Sequence, residues 1–369
     1  MACATTGTIS SFLRNHPDLR KRFLEARRSL DFLRRPAFYT ISTRCNLKCN
    51  GCYFFAEDDH TEDQEEPDVR TWQQVFSRDV ADGATIAYFV GAEAALAQEK
   101  IAAARPYYRY GVIGTNGLVK MDPAIPYRIH VSAWGDGEEE VSLRGAKTFD
   151  CALTNYAGDP RALVVFTLNG RNISSARNIV RKCHEHGIDV TFSFFSPPSA
   201  YSRNLKTAGS REYGNEDLRL TPGHLKRIRE TLSELMEEYP DNLILCSAYN
   251  EWITQPGPRF QIDPQTGVAM DCHSLATGSF MVYGPMAEPL EEKCCLPELD
   301  CSECRIYSAT VATRLTLHNE DLTGKEAFGR WLEIIEQSRR IALPGNLRDS
   351  EQSNTGPVAR TVCGREGSE

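Results

Sequence analysis

Cys45, Cys49 and Cys52 stand in the run Thr43-Arg44-Cys45-Asn46-Leu47-Lys48-Cys49-Asn50-Gly51-Cys52-Tyr53-Phe54, a C-x3-C-x2-C spacing. Three thiolates on one tight loop can hold three irons of a four-iron, four-sulfur cubane and leave the fourth iron without a protein ligand. A structural zinc site closes with four ligands, whereas this loop supplies three. The open iron is what such a loop offers to chemistry.

A second group follows far downstream: Cys272, the pair Cys294 and Cys295, and Cys301-Ser302-Glu303-Cys304. Taken as Cys272, Cys294, Cys301 and Cys304, four thiols can close a complete site, and Gly278, Gly284 and Pro285 let the chain turn back toward it. Adjacent cysteines do not easily ligate one ion together, so one of Cys294 and Cys295 is spare. An iron-sulfur cluster, a zinc ion and unliganded thiols are all open for this group. Eight of the chain's 13 cysteines fall in these two stretches, and such clustering in a chain of this size points to metal chemistry rather than disulfides. Cys3, Cys151, Cys183, Cys246 and Cys363 read as small hydrophobes or exposed thiols.

The elements that must position these groups alternate in type. β-branched and aromatic runs at 38–42, 85–90, 111–114, 128–133, 162–167 and 190–195 read as strands. Helical periodicity occupies 72–80, 94–103, 146–156 and 174–186 between them. Strand and helix in alternation imply right-handed crossovers and a parallel sheet, and six such units favour an α/β fold built as a partial (β/α)6 TIM-like barrel. The first cysteine loop follows the first strand, and active sites gather at the carboxyl ends of parallel strands.

Here the chain resembles the radical S-adenosylmethionine (radical SAM) superfamily, over roughly residues 36–200. The resemblance implies that Cys45, Cys49 and Cys52 bind a 4Fe-4S cluster whose free iron is chelated by S-adenosylmethionine, with Tyr53 against the adenine. It assigns Gly91-Ala92-Glu93-Ala94 to the turn that receives the methionine amino group, and Glu93 keeps the carboxylate an ammonium needs. It further assigns Thr115 and Asn116 after the third strand, Ser132 at the end of the fourth as a ribose contact, and Asn169 after the fifth near the methionine carboxylate. Gly51, Ala92 and Ala94 depart from the family's usual residues. The second cysteine group looks like a shortened SPASM or twitch auxiliary-cluster region, and it also resembles the tail of enzymes that modify hopanoid lipids.

The resemblance implies reductive cleavage of S-adenosylmethionine to a 5'-deoxyadenosyl radical, which abstracts a hydrogen atom from a substrate, with a flavodoxin- or ferredoxin-type electron donor. The expected substrate is a small metabolite: a sugar, nucleoside or lipid intermediate. The rival is a maturase of ribosomal peptides, and the 44 residues ahead of Cys45 leave no room for a leader-binding wing. A reading from another class is a catalytically silent iron-sulfur or zinc protein. No catalytic residue is assigned, although His130 and Trp134 could face a substrate; a histidine inside a strand is more often a hydrogen-bonded core residue.

Over the whole chain, residues 1–35 read as an amphipathic helical segment, 36–240 as the barrel, 241–341 as the cysteine-rich region and 342–369 as a disordered tail. The many arginines of 8–35 read as a solvated helix face or as a surface for an anionic lipid or substrate. Residues 56–68 hold eight acidic side chains and no aliphatic core former, which predicts a solvated loop. In 222–239, Thr221 is the expected N-cap and Pro222 the first helical residue. With 369 residues, 41% hydrophobic and 25% charged, the chain can bury a sizeable core. Its net charge of -8 gives a nucleic-acid partner no global support. Without a basic-then-apolar leader or a membrane-length apolar stretch, the expected location is the cytoplasm.

Overall fold

The computed structural model describes residues 4–49, 52, 54, 66–198, 218–273, 281–291, 294 and 299–345. Tyr53, Cys295 and most of the acidic stretch therefore lie outside the described residues. Two helices open the chain, α1 (Thr6–Asn15) and α2 (Arg20–Leu33). There follow β1 (Pro36–Thr40), α3 (Val69–Ala81), β2 (Ile86–Val90), α4 (Gln98–Ala102), β3 (Tyr110–Thr115) and β4 (Arg128–Ala133). Then come α5 (Glu138–Arg144), α6 (Thr148–Tyr156), β5 (Ala162–Leu168), α7 (Ala176–Glu185) and β6 (Asp189–Phe194). Beyond them lie α8 (Pro222–Glu238), α9 (Ser247–Ile253), β7 (Met281–Tyr283), α10 (Tyr307–Arg314) and α11 (Lys325–Ala342).

Among the described residues seven strands form one sheet in the order β6-β5-β4-β3-β2-β1-β7, every neighbouring pair parallel. The six expected strands are present, with ends no more than two residues from those expected and β4 unchanged at 128–133. The seventh, β7, comes from the cysteine-rich region and pairs Ala37–Tyr39 with Met281–Tyr283. Three residues with no flanking strand signal are too short for a sequence pattern to reveal.

Side chains alternate across the sheet, as the two-residue strand period requires. Ala37, Tyr39, Ile41, Ala87, Phe89, Ile113, Ile129, Val131, Val164 and Phe166 face the helices of the βα units in the main core. On the opposite face Ile86 and Val112 pack against Leu30 and Leu33 of α2 and against Phe328, Trp331, Leu332 and Ile335 of α11. Helices from both ends of the chain thus close the inner face of the sheet, and one core unites residues from 1–35, 36–240 and 241–341. Ala342 and Leu343, placed at the start of the expected tail, are buried in that core; 346–369 lie outside the described residues.

Local expectations hold unevenly. Thr221 caps α8, accepting from the His224 amide at 3.2 Å, with Pro222 in the first turn. The helix expected over 94–103 divides into a 3-10 turn at Ala94–Leu96 and the short α4, because Ala97 leaves the helical region at φ -124° and ψ 41°. Glu66 departs from the solvated-loop expectation. Its Oε2 accepts from Lys100 Nζ at 2.6 Å, and its Oε1 accepts from Ser42 Oγ, Thr43 N and Thr43 Oγ1 at 2.9, 2.7 and 2.9 Å. Both side chains of the pair are nearly buried, at 9% and 6% exposure. A carboxylate among seven other acids is drawn in because the backbone before Cys45 needs an acceptor.

Candidate functional site

Backbone pairing builds the site from β1 and β2 outward. Past the end of β1, Ile41 N donates to Val90 O at 2.8 Å, Ala92 N to Ser42 O at 3.2 Å and Glu93 N to Arg44 O at 2.9 Å. The residues before Cys45 therefore lie along the turn after β2. Gly91 permits this approach: it sits at φ +137°, and a Cβ there would stand 2.7 Å from Ser42 O.

Glu93 locks the strand ends together. Its Oε1 accepts from Ala95 N at 2.9 Å and Thr115 Oγ1 at 2.6 Å, and its Oε2 accepts from Asn116 N at 2.7 Å. Burial pushes its carboxyl above the usual range, opposed by these hydrogen bonds and by Arg144. Asn116 Nδ2 in turn donates to Asn46 Oδ1 at 2.6 Å, tying the turn after β3 to the cysteine loop.

A cavity of about 340 Å³ opens at these carboxyl ends, and Cys45, Cys49, Cys52, Gly91, Glu93, Thr115, Asn116 and Ser132 all line it. Asn169 does not. Its side chain is fully buried, with Oδ1 accepting from the amides of Arg171 and Asn172 in a tight turn, while Thr167 faces the cavity from β5. Asparagine bonding its own backbone two residues on is the ordinary use of that side chain. His130 and Trp134 also line the cavity.

Arg144 reaches the same cavity and escaped the sequence reading. It closes α5 just before Gly145, which takes the left-handed conformation at φ +79°. Its Nη1 donates to Ser132 O, it lies 3.7 Å from Glu140, and its Nε is buried without a partner among the described residues. An arginine in the last turn of a short helix is so common that only the geometry singles it out.

Leu47 N donates to Cys45 Sγ at 3.4 Å, while Cys52 N bonds Cys49 O at 3.2 Å. Burial pushes the Cys45 thiol up, and the Leu47 amide draws it back. Among the described residues no three His, Cys, Asp or Glu side chains converge on a single metal ion. A cubane held at three corners takes thiols set farther apart than one tetrahedral ion does, and three cysteines around one mouth suit it. A buried arginine with an unpaired Nε and a carboxylate beside those cysteines likewise suit a zwitterionic ligand.

In the second group Cys272 and Cys304 are buried with Phe260, Ala269 and Ala309, and Cys301 packs beside them. Burial pushes the Cys304 thiol up to about 12, and the charges of Cys272, Cys294 and Cys301 add to the effect. These four cysteines are thus near enough to feel one another.

No protein-family model matches the chain, and no curated protein matches its sequence. Solved structures do match. Streptococcus suis SuiB bound to S-adenosylmethionine superposes with a TM-score of 0.52 at 14% identity, over 76% of this chain and 64% of that one. SuiB bound to its precursor peptide SuiA superposes with a TM-score of 0.53 at 13% identity, over 86% and 74%. The chain therefore spans 64% of the length of the first of these structures. At such identities the likeness speaks for the fold. The parallel sheet, with its cavity at the carboxyl strand ends, has the fold of these SuiB structures.

Proposed function

We propose that this chain is a radical SAM enzyme. The observation that carries the reading is the single cavity in which Cys45, Cys49 and Cys52 meet Gly91, Glu93, Thr115, Asn116, Ser132 and Arg144 at the ends of parallel strands. The three thiolates would hold the cluster. When bound, cluster and S-adenosylmethionine supply a one-electron reductive cleavage and the hydrogen-atom abstraction that follows. Glu93 and Arg144 offer opposite charges for the amino and carboxylate groups of that ligand, and Ser132 offers a hydroxyl toward its sugar. The apolar lining excludes water from the reacting atoms. A flavodoxin- or ferredoxin-type protein would provide the electron, and Cys272, Cys294, Cys301 and Cys304 would hold a second metal centre.

For the substrate, the likeness to SuiB bound to a precursor peptide supports a peptide-modifying enzyme over one acting on a free small metabolite. The test is anaerobic reconstitution of the wild type and a Cys45/Cys49/Cys52→Ala variant, measuring iron, sulfide and 5'-deoxyadenosine after dithionite and S-adenosylmethionine. The variant should lose about four irons and all nucleoside formation, and iron left behind would belong to the second group. A wild type that binds zinc, binds no iron, or holds a cluster that never cleaves the cofactor would instead be a metal-binding protein without this chemistry.

A further inference from the structure

The cavity has two ends of different character. Glu93 and Arg144 are the only Asp, Glu, Lys or Arg side chains lining it among the described residues. Glu93 N bonds the carbonyl of Arg44, the residue before Cys45, and Arg144 bonds Ser132 O at the end of β4, so both belong to the end of the cavity at the carboxyl strand ends, and both are engaged by neighbouring protein atoms.

The other end is a floor made by inward-facing residues one layer deeper in the sheet. Phe38, Tyr88 and Val112 stand level across β1, β2 and β3, with Val165 on β5 and Ile306 before α10 completing the wall. His130 adds no charge. Its Nε2 lies 2.9 Å from Ile341 O, which can only accept, so Nε2 carries the proton; Nδ1 then accepts from Tyr307 Oη at 2.7 Å. A proton added to this ring would take away the acceptor that Tyr307 uses.

Tyr88 is the exception in this floor. Its ring stacks on Phe38 with centroids 4.5 Å apart and planes 2° from parallel, which fixes where the phenol points. The half-buried Tyr88 lines the cavity, and its hydroxyl makes no hydrogen bond among the described residues. Water can reach this half-buried side chain, and a ligand that brings one hydrogen-bonding atom can take that water's place on the hydroxyl.

We propose that Phe38, Tyr88 and Val112 form the substrate subsite, taking an uncharged, ring-bearing apolar group whose single hydrogen-bonding atom meets the Tyr88 hydroxyl. The assignment rests on reading the cavity as the active site, and it narrows the substrate to a neutral group of phenol-like character. Phosphate, carboxylate and ammonium groups are disfavoured because the floor has, among the described residues, no counter-charge to replace their lost hydration.

The probes are four fluorinated rings of similar size: 4-fluorophenol, 4-fluorotoluene, 4-fluorobenzoate and 4-fluorobenzylammonium. Each is titrated against the full reconstituted chain by fluorine NMR, for wild type, Tyr88→Phe and Val112→Trp. In the wild type 4-fluorophenol should bind about fivefold more tightly than 4-fluorotoluene, and both charged rings at least about tenfold more weakly. Tyr88→Phe should erase the preference for the phenol while leaving 4-fluorotoluene bound, which separates a lost hydrogen bond from a misfolded floor. Val112→Trp should displace both neutral probes.

Charged rings binding as well as neutral ones, or a phenol preference that survives in Tyr88→Phe, would overturn the proposal. A fifth probe, 3-fluorotyrosine inside a glycine pentapeptide, distinguishes the source. Binding tighter than free 4-fluorophenol assigns the group to a peptide side chain, weaker binding to a free small molecule, and binding of neither overturns the subsite. Probe binding needs no turnover, so it can fail while 5'-deoxyadenosine still forms, and the reverse.

Discussion

His130 shows how a side chain inside a strand becomes part of a cavity wall without becoming a proton carrier at neutral pH. Burial, opposed by the hydrogen bond to Ile341 O and reinforced by Arg128, draws its imidazole down from 6.5 to about 3. Between those values the unfolded chain binds a proton that the folded chain refuses. His130 therefore makes the fold less stable as pH falls below 6.5. One such group contributes a slope of up to about 1.4 kcal/mol per pH unit. His130→Gln keeps a donor for Ile341 O and cannot protonate. Urea midpoints measured from about pH 7 to about pH 4 should fall less steeply in the variant, by roughly one proton's worth. Equal slopes would mean that the folded protein tolerates the charged ring. The histidine was visible in the sequence, but its two hydrogen-bond partners were not, because Tyr307 and Ile341 lie 177 and 211 residues away along the chain.

At the scale of elements, the six βα strands were legible because each carries a β-branched or aromatic run bounded by turn residues. Gly91 and Glu93 could be named because the resemblance to a known family, anchored by the strand before them, pointed to that turn. Glu66 and Arg144 could not, since one sits among seven other acids and the other at an ordinary helix end. β7 was hidden for a different reason: what holds it is a side-chain network behind the sheet. Tyr283 Oη donates to Asp79 Oδ1 at 2.6 Å, Tyr39 Oη donates to Asp79 Oδ2 at 2.8 Å, and Arg78 Nη2 donates to Tyr283 Oη at 2.9 Å. The carboxylate of α3 thus ties β7 to β1. Tyr283→Phe removes a hydrogen bond to a charged group, a loss of about 1.5–3 kcal/mol. Amide exchange should quicken in Met281–Tyr283 and along Ala37–Tyr39, and stay unchanged in β4 to β6. Unaltered exchange at β7 would show that its backbone ladder suffices.

The whole molecule departs most from the order of its segments along the chain. A reading by segments places the barrel at 36–240 and the cysteine-rich region at 241–341, and α11 of the second lies against the inner face of β2 and β3 beside α2 of the first helical segment. Trp331 stacks on Phe328 at 5.6 Å and is 1% exposed in that shared core. Cys246 N donates to Gln337 Oε1 of the same helix at 2.7 Å, so residues on both sides of the supposed boundary depend on α11. Cys183, fully buried in α7, and Cys246, whose thiol burial pushes up to about 12, report on the two sides. Pulsed alkylation of the metal-free chain along a urea gradient should expose both thiols at one midpoint, the mark of a single cooperative unit. Trp331→Ala opens a large cavity between α2, α11 and the sheet and should cost about 3–5 kcal/mol. Both midpoints should then move down together. If Cys246 alone shifted while Cys183 kept its wild-type midpoint, the barrel would stand without α11, and the floor of the cavity would need no support from the end of the chain.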